Sequence, residues 1–131
     1  MMRLLVDTHL LLWAAAKSRR LPEEARRLIE DPANEVFYSA ASFWEIAIKA
    51  ALRRSDFKVD LALLRFALAG MGFVELPVRG THAEKLTELP PIHRDPFDRM
   101  LIAQSLSEPL VLLTNDAALA GYGEGVKVVP R

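Results

Sequence analysis

Leu4-Leu5-Val6-Asp7-Thr8-His9-Leu10-Leu11-Leu12-Trp13 holds a strand, a junction and the start of a helix in ten residues. The apolar run at 4–6 suits a short buried strand, Asp7-Thr8 interrupts it, and the leucines, Trp13 and the alanines beyond continue as a helix. The same alternation recurs along the chain. Residues 35–39 read as a second strand running into a helix over 40–52, with a largely apolar, buried surface and Lys49, Arg53 and Arg54 near its far end. A helix over 61–68, closed by Gly70 and Gly72, leads to a strand at 73–76. Pro22-Glu23-Glu24 opens another helix, which stops before Pro32. Residues 82–86 form a short helix broken by Pro90-Pro91, and Asp95-Pro96-Phe97-Asp98 starts a helix through Ser105. Leu110-Val111-Leu112-Leu113 is the clearest buried strand. A short helix over 116–120, closed by Gly121, and a strand over 126–129 finish the chain. Apolar strands alternating with helices predict an α/β domain over residues 1–131, with a parallel sheet covered on both faces.

Composition narrows the chemistry. With 131 residues, 51% of them hydrophobic, the chain can bury one two-sided core. Seventeen basic residues balance seventeen acidic ones, so no global charge draws the protein to nucleic acid or an anionic membrane, and any polyanion has to meet a local patch. The absence of cysteine excludes disulfides, thiolate catalysis and cysteine-ligated metals. Asp7 and His9 interrupt the first apolar run before a signal-peptide core forms, and no stretch approaches the ~20 apolar residues that span a bilayer. A cytoplasmic location without membrane association is the expectation.

Four acids, Asp7, Glu45, Asp98 and Asp116, stand at or near junctions where a strand or turn gives way to a helix. In an open α/β sheet such junctions share one edge, so these side chains converge whatever their sequence separation. Each also has a structural explanation. Asp7 and Asp116 suit helix caps, worth ~1 kcal/mol each. Ser42-Phe43-Trp44-Glu45 has the spacing of a capping box, although the apolar run from Ala40 places Glu45 inside the helix. Asp95 is the better cap of its helix, which leaves Asp98 for chemistry. Four carboxylates within ~5 Å would repel by ~3 kcal/mol per pair at an effective dielectric of about 20, which capping does not require and a divalent cation removes. Oxygen donors without cysteine suit Mg²⁺ or Mn²⁺, which can activate water and polarise a phosphodiester.

Thr8 and Thr114 lie close to acids in sequence, where their hydroxyls could orient a carboxylate or a metal-bound water and so contact substrate, or simply close a turn. His9, His82 and His93 lack metal-ligand spacing and are expected to be solvent-facing or satisfied in the core, His9 being the one closest to an acid. Trp13 and Trp44 sit in apolar helices and are expected in the core rather than as base-stacking platforms.

Leu5-Val6-Asp7-Thr8-His9, Trp44-Glu45-Ile46, His93-Arg94-Asp95-Pro96-Phe97-Asp98-Arg99 with Leu101-Ile102-Ala103-Gln104, and Leu113-Thr114-Asn115-Asp116 together resemble the PIN domain, and VapC-type toxins within it. The likeness spans nearly the whole chain. It implies a three-layer α/β/α sandwich with a parallel sheet, and a Mg²⁺- or Mn²⁺-dependent endoribonuclease acting as the toxin of a type II toxin–antitoxin pair. It further implies a homodimer and a VapB-like antitoxin. Position by position, Asp7, Glu45 and Asp98 match the family's core carboxylates and Asp116 its more variable fourth. Many members place the third acid three residues before the isoleucine of an Ile-Ala pair; here Asp98 is four before Ile102 and Arg99 fills that slot. Asp98 is nevertheless favoured over Asp95. An RNA substrate needs basic contacts, for which Lys49, Arg53, Arg54 and Arg99 are candidates beside the alternative of a solvated helix end. Two other readings are a PIN-like module that binds without cutting and a phosphoacceptor receiver-like domain. The latter requires a lysine just after a late strand, whereas Lys127 lies inside the last one.

Overall fold

The computed structural model describes residues 1–52 and 58–130. Its strands are β1 (Arg3–Val6), β2 (Glu35–Ser39), β3 (Val74–Leu76), β4 (Val111–Thr114) and β5 (Val126–Val128), all parallel, in the order β3-β2-β1-β4-β5. The strand that begins the chain is therefore the centre of the sheet. Leu4 is in register with Val36 on one side and Val111 on the other, and Val6 with Leu113. A central parallel strand has no free edge and no wet face, which is why its apolar run is uninterrupted; Leu4, Leu5 and Val6 are fully buried.

Alternation along β1 divides the core in two. Leu4 and Val6 point to one face, with Leu10, Leu11, Ile46, Leu64, Leu68 and Leu113. Leu5 points to the other, with Leu101, Ile102, Leu112 and Leu119. The helices α1 (Thr8–Ala15), α2 (Glu23–Glu30) and α4 (Leu61–Gly70) contribute to the first core, and α6 (Pro96–Ser107) to the second, with α5 (Gly80–Leu86) packed on α6. The helix α3 (Ala40–Ala51) follows β2 with no intervening residue and sends Ile46 into the first core. The result is the expected α/β/α sandwich.

Two local expectations change. The short helix after β4 is a 3-10 helix, Ala117–Tyr122, that runs through Gly121 and turns at Gly123, whose φ is 104°. Gly121 provides space rather than a stop: the Ile92 side chain comes within 3.2 Å of where a Cβ would sit. Trp44, expected in the core, is 65% exposed. With Ile48 and Leu52 it forms an exposed stripe at four-residue spacing, while Ala41, Ser42, Glu45 and Ile46 form the buried face of α3. Trp13 is half-buried against the first core, as expected. Arg53 and Arg54 lie outside the described residues.

The strand order reverses at β1. From β1 the chain moves outward to β2 and β3, then returns to set β4 on the other side of β1. A crevice opens at such a switch point, outside the carboxyl ends of the flanking strands. Asp7 follows β1 there, and Thr114 ends β4.

Candidate functional site

Asp7 is both a cap and a site residue. Its Oδ1 accepts from the Leu10 amide at 2.9 Å, while Oδ2 accepts from the Thr114 hydroxyl. The Thr114 oxygen also accepts from the Asp116 amide at 3.1 Å, so one side chain at the end of β4 fixes two acids. Asp116 caps the 3-10 helix through Oδ1, which accepts from the Ala118 amide at 3.0 Å.

Glu45 enters from α3 and is almost completely buried. Ser39 caps this helix, accepting from the Ala41 amide at 3.0 Å, so Glu45 lies a turn and a half inside it and the capping-box alternative is set aside. Thr8 Oγ1 lies 2.8 Å from Glu45 Oε1 and 2.9 Å from Ser42 Oγ, and Lys49 Nζ lies 2.9 Å from Glu45 Oε2. Both threonines thus orient carboxylates, though Thr8 holds Glu45 rather than its sequence neighbour.

Asp98 and Asp95 divide their work. Asp95 Oδ1 accepts from the Phe97 and Asp98 amides at 2.8 and 3.2 Å and so caps α6. The Asp98 carboxylate is left to meet His93, whose Nε2 is 2.9 Å from Asp98 Oδ2. One donor atom each from His93, Asp98 and Asp116 fall within 4.8 Å of one another, the one such group of three among the described residues. His93 is the site residue that sequence spacing did not single out: it pairs with an acid five positions on, across a helix start. The histidine at the head of the Asp95-Pro96-Phe97-Asp98 segment was its only signal.

Electrostatics tie the acids together. Burial raises the Asp7 pKa to about 6, against the lowering effects of Thr114, the Leu10 amide and His9, and Asp98 pushes it up further. Burial also raises the Asp98 carboxyl, opposed by the His93 hydrogen bond and reinforced by Asp95 and Glu45. Carboxyls pushed up by burial and by one another, with oxygen and imidazole donors and no thiolate, form a donor set that fits a hard or borderline divalent cation.

The remaining expected residues have partners within the protein. Lys49 is paired with Glu45. The Arg99 guanidinium donates to the Pro90 and His93 carbonyls, each at 3.3 Å, and so clips the loop before α6. His9 is exposed against Trp13, with ring centroids 6.1 Å apart. His82 is fully buried, accepting at Nδ1 from the Arg79 amide at 2.9 Å and bonding through Nε2 to Glu108 at 2.6 Å. It belongs to a polar group that includes Gln104, whose Oε1 accepts from Ser39 at 2.5 Å. That bond joins the cap of α3 to α6, the two helices bearing Glu45 and Asp98. Beside them an apolar groove of about 330 Å³ is lined by Ala41, Trp44, Val78, Leu86, Phe97 and Met100 among others. Trp44 meets Phe97 edge-on across it at 5.3 Å.

An all-parallel α/β sheet with buried acids at its switch point defines the class of fold to which the chain belongs. Within that class the chain belongs to the PIN domain family, whose sequence profile matches residues 4–125. No curated protein matches the chain significantly. Solved structures share the fold. VapBC2 from Rickettsia felis, bound to a DNA fragment from its promoter, aligns with a TM-score of 0.68 at 12% identity over 98% of each chain. DNA-bound VapBC from Salmonella typhimurium aligns with 0.66 at 16%, over 99% of this chain and 98% of that one. A toxin–antitoxin complex from Klebsiella pneumoniae aligns with 0.64 at 22%, over 95% of each.

Proposed function

We propose that the protein is a Mg²⁺- or Mn²⁺-dependent endoribonuclease, the toxin of a VapBC-like toxin–antitoxin pair. The observation that carries this reading is the convergence of Asp98, Asp116 and His93 beside two further buried acids, Asp7 and Glu45, on the carboxyl edge of a PIN fold. Asp7, Glu45, Asp98 and Asp116 would hold the cation, Thr8 and Thr114 keep Glu45 and Asp7 in place, and Asp95 caps α6 so that Asp98 is released from that task. A divalent cation bound there would supply the Lewis acidity to activate water and polarise the scissile phosphate. Lys49 and Arg99 are positioned to exchange their internal partners for backbone phosphates of the RNA.

The exposed stripe of Trp44 and Ile48 on α3 and Leu52 at its C-cap, together with Leu63 and Phe66 on α4, supports a protein partner, since monomers rarely leave such apolar rows in water. A second copy and a VapB-like antitoxin are the occupants this reading assigns. The receiver-like alternative loses ground on two counts. The strand order 3-2-1-4-5 differs from the 2-1-3-4-5 of that fold, and Lys127 is engaged with Glu24 at 3.1 Å.

Cleavage of a mixed RNA pool by the purified protein in Mg²⁺, Mn²⁺ or EDTA, run beside Asp7→Asn, tests the reading. Cation-dependent cutting that disappears in the variant is the expected result. Cutting by the parent that survives EDTA, or equal cutting by both proteins, would overturn it.

A further inference from the structure

We propose that His93 is a nitrogen ligand of the cation, and that its imidazole makes the centre prefer Mn²⁺ to Mg²⁺. The inference rests on the cation site of the proposed function and adds a donor to the four carboxylates.

Spacing is the first argument. Adjacent ligands of an octahedral ion bound at about 2.1 Å lie about 3.0 Å apart, and opposite ones about 4.2 Å. His93 Nε2 and Asp98 Oδ2, 2.9 Å apart, have the spacing of adjacent ligands, and one donor atom of Asp116 falls within 4.8 Å of a donor atom of each of these residues. Without the ion, two such donors can share a hydrogen bond, as these do.

Preorganisation is the second. The His93 amide donates to the Tyr122 hydroxyl at 2.9 Å, and its carbonyl accepts from Arg99 at 3.3 Å. Tyr122 ends the 3-10 helix that Asp116 caps, and Arg99 follows Asp98 on α6. The two elements that carry the carboxylates therefore also anchor the backbone of the histidine. The other two histidines are placed differently: His82 is fully engaged in the core with Arg79 and Glu108, and His9 lies tilted against Trp13.

Donor chemistry then sets selectivity. Mg²⁺ favours oxygen and retains its waters, whereas first-row transition ions accept imidazole readily. A centre of carboxylates plus one imidazole therefore gains more for Mn²⁺ than for Mg²⁺.

The test uses the full chain, stripped with EDTA and reloaded with Mn²⁺ or Mg²⁺. Pulsed EPR of the Mn²⁺-loaded protein reads nitrogen coordination directly, and calorimetry reads affinity for each ion. The parent is expected to show ¹⁴N coupling that is lost in His93→Gln and kept in His9→Gln. His93→Gln is further expected to lose Mn²⁺ affinity at least ~10-fold, and Mg²⁺ affinity by a smaller factor. Mn²⁺ bound by the parent without ¹⁴N coupling would overturn the role of His93 while leaving the cation site standing. Coupling that persists in His93→Gln would also overturn it. Absence of Mn²⁺ binding in the parent would remove the cation site itself. A parent spectrum without ¹⁴N coupling decides against His93 even if the variant fails to fold, and coupling kept in His9→Gln removes the other accessible imidazole as its source.

Discussion

The Thr114 hydroxyl donates to Asp7 Oδ2 across the point where the strand order reverses, joining residues 107 positions apart. This bond sets the side chain of a nearly buried acid, and the same oxygen fixes the Asp116 amide. Thr114→Val keeps the shape and removes both bonds. It is expected to cost about 1–3 kcal/mol in denaturant unfolding without cation, and to raise the Asp7 pKa further. Carboxyl ¹³C shifts followed against pH would show the change; an unaltered Asp7 titration would mean that the bond does not control this carboxyl.

Asp7 itself predicts a stability trade. Its folded pKa of about 6 exceeds the ordinary 3.8, so the folded state binds the proton more tightly than the unfolded chain. The resulting support for folding is complete below about pH 3.8 and is lost as pH rises through about 6. At neutral pH the buried charge costs on the order of 2–3 kcal/mol. In EDTA at pH 7, Asp7→Asn is therefore expected to unfold at higher denaturant concentration than the parent, because the amide can still accept from Leu10 and meet Thr114. The difference should shrink toward pH 4. A less stable variant at pH 7 would contradict the argument.

His82 lies in the core between α5 and α6, and its two ring nitrogens are matched to Arg79 and Glu108. His82→Ala leaves a partly buried amide and a carboxylate short of a partner and opens a cavity. A loss of about 2–4 kcal/mol is expected by chemical denaturation, with the proposed cleavage per folded molecule unchanged. A loss below ~1 kcal/mol would show that the network contributes little.

Ile48 stands in the middle of the exposed α3 stripe, flanked by Trp44 and Leu52. Ile48→Glu should alter monomer stability by no more than about 0.5 kcal/mol, since the position is already at the surface. Sedimentation velocity is expected to show that the parent self-associates and the variant does not. Equal sedimentation of both as monomers would assign the stripe to a different partner.

Much of the fold was legible because its cause is local. β1 and β4 read as buried strands since a strand covered on both faces must be apolar throughout, and the caps at Asp7, Asp95 and Asp116 declared themselves by residue type. Trp44 was misplaced because a one-dimensional pattern does not say which apolar face of α3 meets the sheet. Gly121 was misread because its reason is the approach of Ile92, a contact made through space.

The site divides along the same line. By itself the sequence determined which residues could serve: a cysteine-free set of acids at strand–helix junctions, and the choice of Asp95 as cap and Asp98 as free carboxylate. Only the tertiary structure decided that Thr8 holds Glu45, that Thr114 holds Asp7, and that His93 joins Asp98 and Asp116. Residue type and helix capping act within a few positions along the chain. Donor convergence depends on strand order and helix packing, which bring together residues as far apart as Asp7 and Thr114.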